Sequence, residues 1–194
     1  LKQSLIPGHA AQLQEAIGTL ASFETTLQSF ADTLFAAFQS GKKLLTCGNG
    51  GSAAEAAHLA EEFTGRFWRE RQSLPGMCLS VDGTVLTCII NDYGADEMFA
   101  RQVSSLGNPG DVLLAFSTSG NSRNVIRALE VAKERRLITA AFLGKGGGQM
   151  RGMTDYEFIV ESDSTMRVQE CHIFLVHMLC EAVERRLLKL DDPL

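Results

Sequence analysis

Basic runs, paired cysteines and long apolar segments are all missing from this chain. Eighteen Lys and Arg stand against 23 Asp and Glu, a net charge of −5, and the basic residues are not clustered. That balance argues against duplex nucleic acid or an anionic membrane as the main partner. Any bound anion must be held by backbone dipoles and a few basic side chains. Cys47, Cys78, Cys88, Cys171 and Cys180 form no CxxC pair, and their number is odd. They read as buried free thiols in a reducing compartment, so a cytoplasmic protein is expected. No apolar run reaches membrane-spanning length, and no signal peptide is expected. The chain opens on Leu1 rather than Met, so a few native residues are expected to precede it. Linkers and low-complexity segments are lacking too. The 194 residues, 45% hydrophobic and 21% charged, therefore read as one domain with a real core, residues 1–40 being a helical segment packed on it.

What is present centres on residues 43–66, KLLTCGNGGSAAEAAHLAEEFTGR. Residues 44–46 read as a short buried strand. Gly48, Asn49, Gly50 and Gly51 form a turn with little side-chain bulk. Ser52 reads as the N-cap of a following helix, with Glu55 completing a capping box. Strand, glycine turn and helix together suit an anion, because backbone N–H groups and the helix dipole converge there. A nucleotide is a poor fit. Gly48, Gly50 and Ala53 match the dinucleotide glycine pattern, but the acidic residue about 20 positions on is missing. Asp82 comes too late, and no Gly-Lys-Ser/Thr follows the turn.

Elsewhere, apolar periodicity predicts helices within residues 1–40, broken near 23–27 and stopped by Gly41. Strands are predicted at 77–81, 111–116, 137–143 and 156–160. Residues 85–90 are ambiguous between helix and strand, 91–94 read as a turn, and a helix is expected from 96 through 103. Another helix follows Ser122, with Val125, Ile126, Leu129, Val131 and Ala132 as its buried stripe, and a long helix fills 166–190. Continuous apolar strands alternating with helices indicate a parallel sheet of about five strands covered on both faces.

Three groups of residues carry chemistry. His58 and Glu62 lie at i and i+4, a spacing that suits a shared metal, an acid/base pair or a plain surface pair. Ser117, Thr118, Ser119 and Ser122 offer hydroxyls at a strand end, fitting either a phosphate monoester or a solvated loop whose last Ser caps a helix. Gln169, His172 and His177 share the last helix. Gln169 and His177 are about 12 Å apart along its axis, so one metal reaches both only if the side chains converge; otherwise ligands come from different subunits. A lone His on that apolar helix would be core or interface, and Cys171 and Cys180 read as packing residues.

Five ordered motifs, CGNGGS at 47–52, HLAEEFTGR at 58–66, NDYG at 91–94, STSGNS at 117–122 and VQECHIFLVH at 168–177, resemble the bacterial phosphoheptose isomerase family of the sugar isomerase (SIS) group. The resemblance covers essentially the whole chain. It implies a three-layer α/β sandwich with a five-stranded parallel sheet, N-terminal helices and a long C-terminal helix. It also implies a homotetramer with active sites between subunits and conversion of D-sedoheptulose 7-phosphate to D-glycero-D-manno-heptose 7-phosphate, the opening step toward the heptose of lipopolysaccharide. By motif, Asn49, Gly50, Gly51, Ser52, Glu62, Arg66, Asn91, Asp92, Ser117, Thr118, Ser119, Ser122 and Gln169 are expected to contact substrate. His58, Glu62, Gln169 and His177 match the family's zinc ligands, one Zn2+ per subunit, and Glu62 and His177 match its acid/base residues. A related non-catalytic branch that regulates the replication initiator departs from the HxxxE pattern kept here, and an isomerase of another phosphosugar is the other alternative. One departure is Met166, where some members place an Asp.

Overall fold

The computed structural model describes residues 4–190. A five-stranded sheet runs through its centre: β1 (Leu44–Gly48), β2 (Gly76–Cys78), β3 (Val112–Ser117), β4 (Ile138–Gly144) and β5 (Tyr156–Val160). All neighbours pair in parallel, in the order β2-β1-β3-β4-β5. Such pairing needs crossover helices, and these cover both faces. Successive side chains on a strand point to opposite sides. Accordingly Leu44, Leu114, Phe116, Phe142 and Phe158 pack under α1 (Leu5–Thr19), α2 (Glu24–Gln39), α3 (Gly51–Thr64) and α7 (Thr165–Leu188). Leu45, Leu113, Ala115 and Leu143 pack under α5 (Ala100–Leu106) and α6 (Arg123–Glu134). Among the described residues no helix is long and apolar enough to cross a membrane.

The strand order has a switch point. From β1 the chain moves outward to β2, then returns across β1 to β3 and continues the other way. Connections therefore diverge beyond the carboxyl ends of β1 and β3, leaving a crevice where α/β sheets bind ligands. β1 ends at the glycine turn and β3 at the hydroxyl loop, so the two polar tracts of the sequence open into that crevice.

Several elements differ from their expected form. β2 has three residues rather than five, because at Ser80 a side chain replaces the ladder: its hydroxyl donates to Gly48 O at 2.9 Å and accepts from Gly48 N at 3.1 Å. The ambiguous segment is a helix, α4 (Gly83–Tyr93), started by Asp82, whose carboxylate accepts from the amides of Thr84 and Val85. Asn91, Asp92 and Tyr93 form its last turn instead of a separate one, and Gly94, at φ +89°, ends it. The helix expected from 96 to 103 is split into a short 3-10 turn, Ala95–Glu97, and α5.

Asp111, 1% exposed, joins the starts of the two central strands. It accepts from the amides of Lys43 and Asn108 at 3.0 and 2.8 Å and pairs with the Lys43 ammonium. Burial pushes its carboxyl upward, but these donors outweigh that and hold it below the ordinary range. A carboxylate with a depressed folded pKa stabilises the fold above its unfolded value, about pH 4, and that contribution is lost as pH falls through the folded value. Asp111→Asn should therefore cost about 2–3 kcal/mol at pH 7. Thermal melts should show a smaller loss at pH 3, where the wild type has already given up part of this contribution.

Candidate active site

The glycine turn is built by exclusion of side chains. A Cβ on Gly48 would lie 2.5 Å from the Ser52 carbonyl oxygen, and one on Gly51 would lie 2.1 Å from Gln169 Nε2. Gly50, at φ +58°, occupies the N-cap of α3. The expected Ser52 cap is not formed: Ser52 is buried inside the first helical turn, and no side chain caps the helix. Glu55 does not complete a capping box either, since it turns inward to His172. With no side-chain cap, the Ser52 and Ala53 amides donate to the Asn49 and Gly50 carbonyls at 3.0 and 3.1 Å, so an anion here is left the amides that precede them.

The hydroxyl loop at 117–122 lies across the switch point. Gly120 N donates to Ser117 Oγ at 3.1 Å, and the Ser117 and Ser122 hydroxyls lie 3.2 Å apart. Ser122 stands at the N-cap of α6, but its hydroxyl bonds Ser117 and not the helix amides. The capping explanation for this serine is thus removed, and α6 too starts without a side-chain cap. Asn49 and Asn124 exchange amide hydrogen bonds at 2.9 Å in both directions, tying the two turns together. Asn124 was not singled out in the sequence, although it lies two residues beyond the STSGNS motif.

A strip of reactive side chains runs between α3 and α7. His58 Nε2 is 3.1 Å from Glu62 Oε1 and 3.3 Å from His177 Nε2. Facing atoms of all three residues lie within 4.8 Å of one another. Zinc–ligand bonds of about 2.0–2.1 Å place neighbouring tetrahedral donors about 3.3 Å apart, so two of these spacings suit one ion. The chemistry fits as well: two neutral imidazole nitrogens facing at 3.3 Å need a proton or a cation between them. The Phe67 ring backs His177 at 5.8 Å. Gln169 lies toward the glycine turn, its amide against Gly51, and lines with His58 a cavity of about 450 Å³. Cys180 is not one of the clustered residues, and burial pushes its thiol well above the usual range.

Not every expected residue joins this strip within one chain. Arg66 is exposed and donates to Trp68 O at 3.1 Å. Asn91 and Asp92, also exposed, hydrogen-bond each other at 2.7 Å. Conversely, the loop after α3 hides a buried pair that was not singled out in the sequence. Arg71 donates to the Glu62 and Phe63 carbonyls at 2.6 and 2.9 Å and pairs with Glu184, both side chains being 1% exposed. That pair closes the carboxyl end of α3 at Glu62. Its only sequence signal is Glu184, an acid two turns after His177 on the apolar last helix.

The SIS domain family model matches residues 10–144. A phosphoheptose isomerase of Campylobacter concisus is 47% identical over 92% of this chain and 93% of its own length. The chain belongs to the phosphoheptose isomerase family of SIS domains. Two solved members show the same architecture. Phosphoheptose isomerase GmhA of Neisseria gonorrhoeae superposes with a TM-score of 0.87 at 38% identity, covering 92% of this chain and 96% of that one. The phosphoheptose isomerase of Francisella tularensis superposes at 0.86 with 30% identity, covering 94% and 100%. The SIS model ends at β4, whereas the likeness to these phosphoheptose isomerases extends over most of the chain.

Proposed function

We propose that this chain converts D-sedoheptulose 7-phosphate to D-glycero-D-manno-heptose 7-phosphate. One observation carries the reading beyond family membership: an anion-type crevice at the switch point adjoins a His–Glu–His cluster of proton-transfer groups. The phosphate is assigned to the 117–122 hydroxyls and the start of α6, with the 49–52 turn holding sugar hydroxyls. Such remote binding energy orients the reacting end. Isomerisation then needs a proton taken from C1 and returned to C2, together with a proton moved between O1 and O2. Glu62 is assigned the carbon proton. Its Oε1 faces His58, which leaves the other carboxylate oxygen for substrate. His177 is assigned the oxygen-bound proton, donating at O2 as charge develops there. His58, Glu62 and His177 suit zinc, with Gln169 as the further expected donor, and a bound ion would polarise the O1 and O2 oxygens. Arg66, Asn91 and Asp92 stand exposed outside the strip, where a neighbouring chain's site could recruit them; this supports the expected homotetramer with sites between subunits. The retained donor cluster favours an enzyme over a non-catalytic regulator, which would not need it, and the five free cysteines suit a cytoplasmic location.

Incubating purified protein with sedoheptulose 7-phosphate tests the proposal. Product formation should proceed, stop after chelation and resume when zinc is restored. Turnover indifferent to chelation would remove the metal from the reading. No turnover in the presence of zinc would remove the substrate, and a panel of C5 to C7 ketose phosphates would then identify another isomerase or none.

A further inference from the structure

His172 is fully buried on α7, three residues after Gln169 and five before His177, and it takes no part in the donor cluster. Its Nε2 lies 3.2 Å from the Leu143 carbonyl oxygen, and its Nδ1 lies 3.3 Å from Glu55 Oε2. A carbonyl only accepts, so Nε2 carries a hydrogen. One further proton is then held between Nδ1 and the carboxylate. Placed on the ring it gives imidazolium and carboxylate; placed on Glu55 it gives imidazole and carboxylic acid. The pair is electrically neutral in both forms, which suits its surroundings, the Phe116 and Phe142 rings at 6.0 and 5.8 Å. Glu55 is 4% exposed, and its second oxygen, Oε1, has no hydrogen-bond partner.

Position gives the pair its meaning. Glu55 lies one helical turn before His58 on α3, and His172 one turn after Gln169 on α7. The contact therefore joins the two helices that carry the donors. Leu143 adds a third element, the end of β4. The next residue, Gly144, is so closely packed that a Cβ would lie 2.5 Å from Val168 Cγ2 and 2.9 Å from the Thr118 carbonyl oxygen. Through it the tie extends to the hydroxyl loop. Buried ion pairs add little stability over well-packed apolar side chains, whereas their hydrogen bonds fix direction.

We propose that Glu55 and His172 are a positioning pair that holds α3 and α7 in the register at which His58, Glu62 and His177 face one another. This rests on the reading of those three residues as metal donors. Co2+ titrated into the metal-free full chain, followed by its visible absorption, tests both in order. A wild type that binds no Co2+ ends the donor reading, and the pairing proposal with it, before any variant is compared. With wild-type binding established, Glu55→Gln keeps shape and one hydrogen bond but cannot share the proton. It should bind Co2+ 10- to 100-fold more weakly, with a changed absorption band, an intact cooperative melt, and lowered kcat at unchanged KM. The double variant Glu55→Met/His172→Phe removes both buried polar groups together and should show the same loss. Folded variants with wild-type Co2+ affinity would overturn the proposal. If Glu55→Gln unfolds, the double variant decides; should that unfold as well, the pair is a stability element and the positioning role is refuted.

Discussion

Replacing Glu62 with Gln should lower kcat about 10³-fold or more while leaving the melting temperature nearly unchanged. General acid–base catalysis contributes about 10²- to 10⁴-fold, and Glu62 is also assigned to the donor set, so the loss falls at the upper end. The fold should tolerate the change. Glu62 contacts the site through Oε1, whereas the tie that closes α3 uses its backbone carbonyl, which accepts from Arg71 and survives the substitution. Stopped-time product assays beside calorimetric melts check both halves. A variant with wild-type turnover would take Glu62 out of the proton transfer and leave it a ligand.

Gly120→Ala should be the most damaging single methyl addition in the hydroxyl loop. Gly120 sits at φ +62°, where a Cβ costs about 1–2 kcal/mol by itself. The new Cβ would also lie 1.8 Å from the Gly147 carbonyl oxygen, which is backbone and cannot rotate away. Either the loop or the Lys145–Met150 turn must move. The expected result is a loss of about 3 kcal/mol or more in stability, or a KM raised about 100-fold if the loop yields instead. Gly146→Ala is the control: its φ is +74°, but nothing lies within 4 Å of the added carbon. Only the backbone cost should remain, about 1–2 kcal/mol. Equal effects from the two would show that conformation, not the clash, governs this turn.

The parallel sheet was legible because its three inner strands, β1, β3 and β4, are buried on both faces and read as largely apolar runs; the edge strand β5, only partly buried, still falls at its expected residues. The two turns were legible because small residues at strand ends have few other uses. Ser52 and Glu55 show where local reading stops. Their spacing is that of a capping box, but His172, 117 residues away, offers Glu55 a partner that helix-start chemistry cannot reveal. Residues 91–94 misled for a related reason. Asn, Asp and Gly favour turns, yet only Gly94 needs the left-handed backbone, and the three residues before it continue the helix begun at Asp82. Arg71 was hidden because a charged residue amid polar neighbours looks solvated until the carbonyls it serves are seen. In the site, the motifs named His58, Glu62 and His177, which the fold brings within 4.8 Å of one another, whereas the Asn49–Asn124 bridge and the Glu55–His172 contact exist only once distant elements meet.

The place of β1 in the sheet bears on how the molecule is made. β1 is flanked by β2 and β3, and β3 begins 68 residues after β1 begins in the register that pairs Leu44 with Val112. During synthesis the first half of the binding crevice leaves the ribosome well before its second half exists. Until β3 arrives, one side of β1 presents unpaired backbone groups and the apolar side chains of a central strand, the kind of surface that associates with other chains. Non-local parallel pairing of this sort slows folding relative to local contacts. The arrangement that places two polar turns side by side thus makes the nascent chain most vulnerable to aggregation at the strand from which the first of them springs.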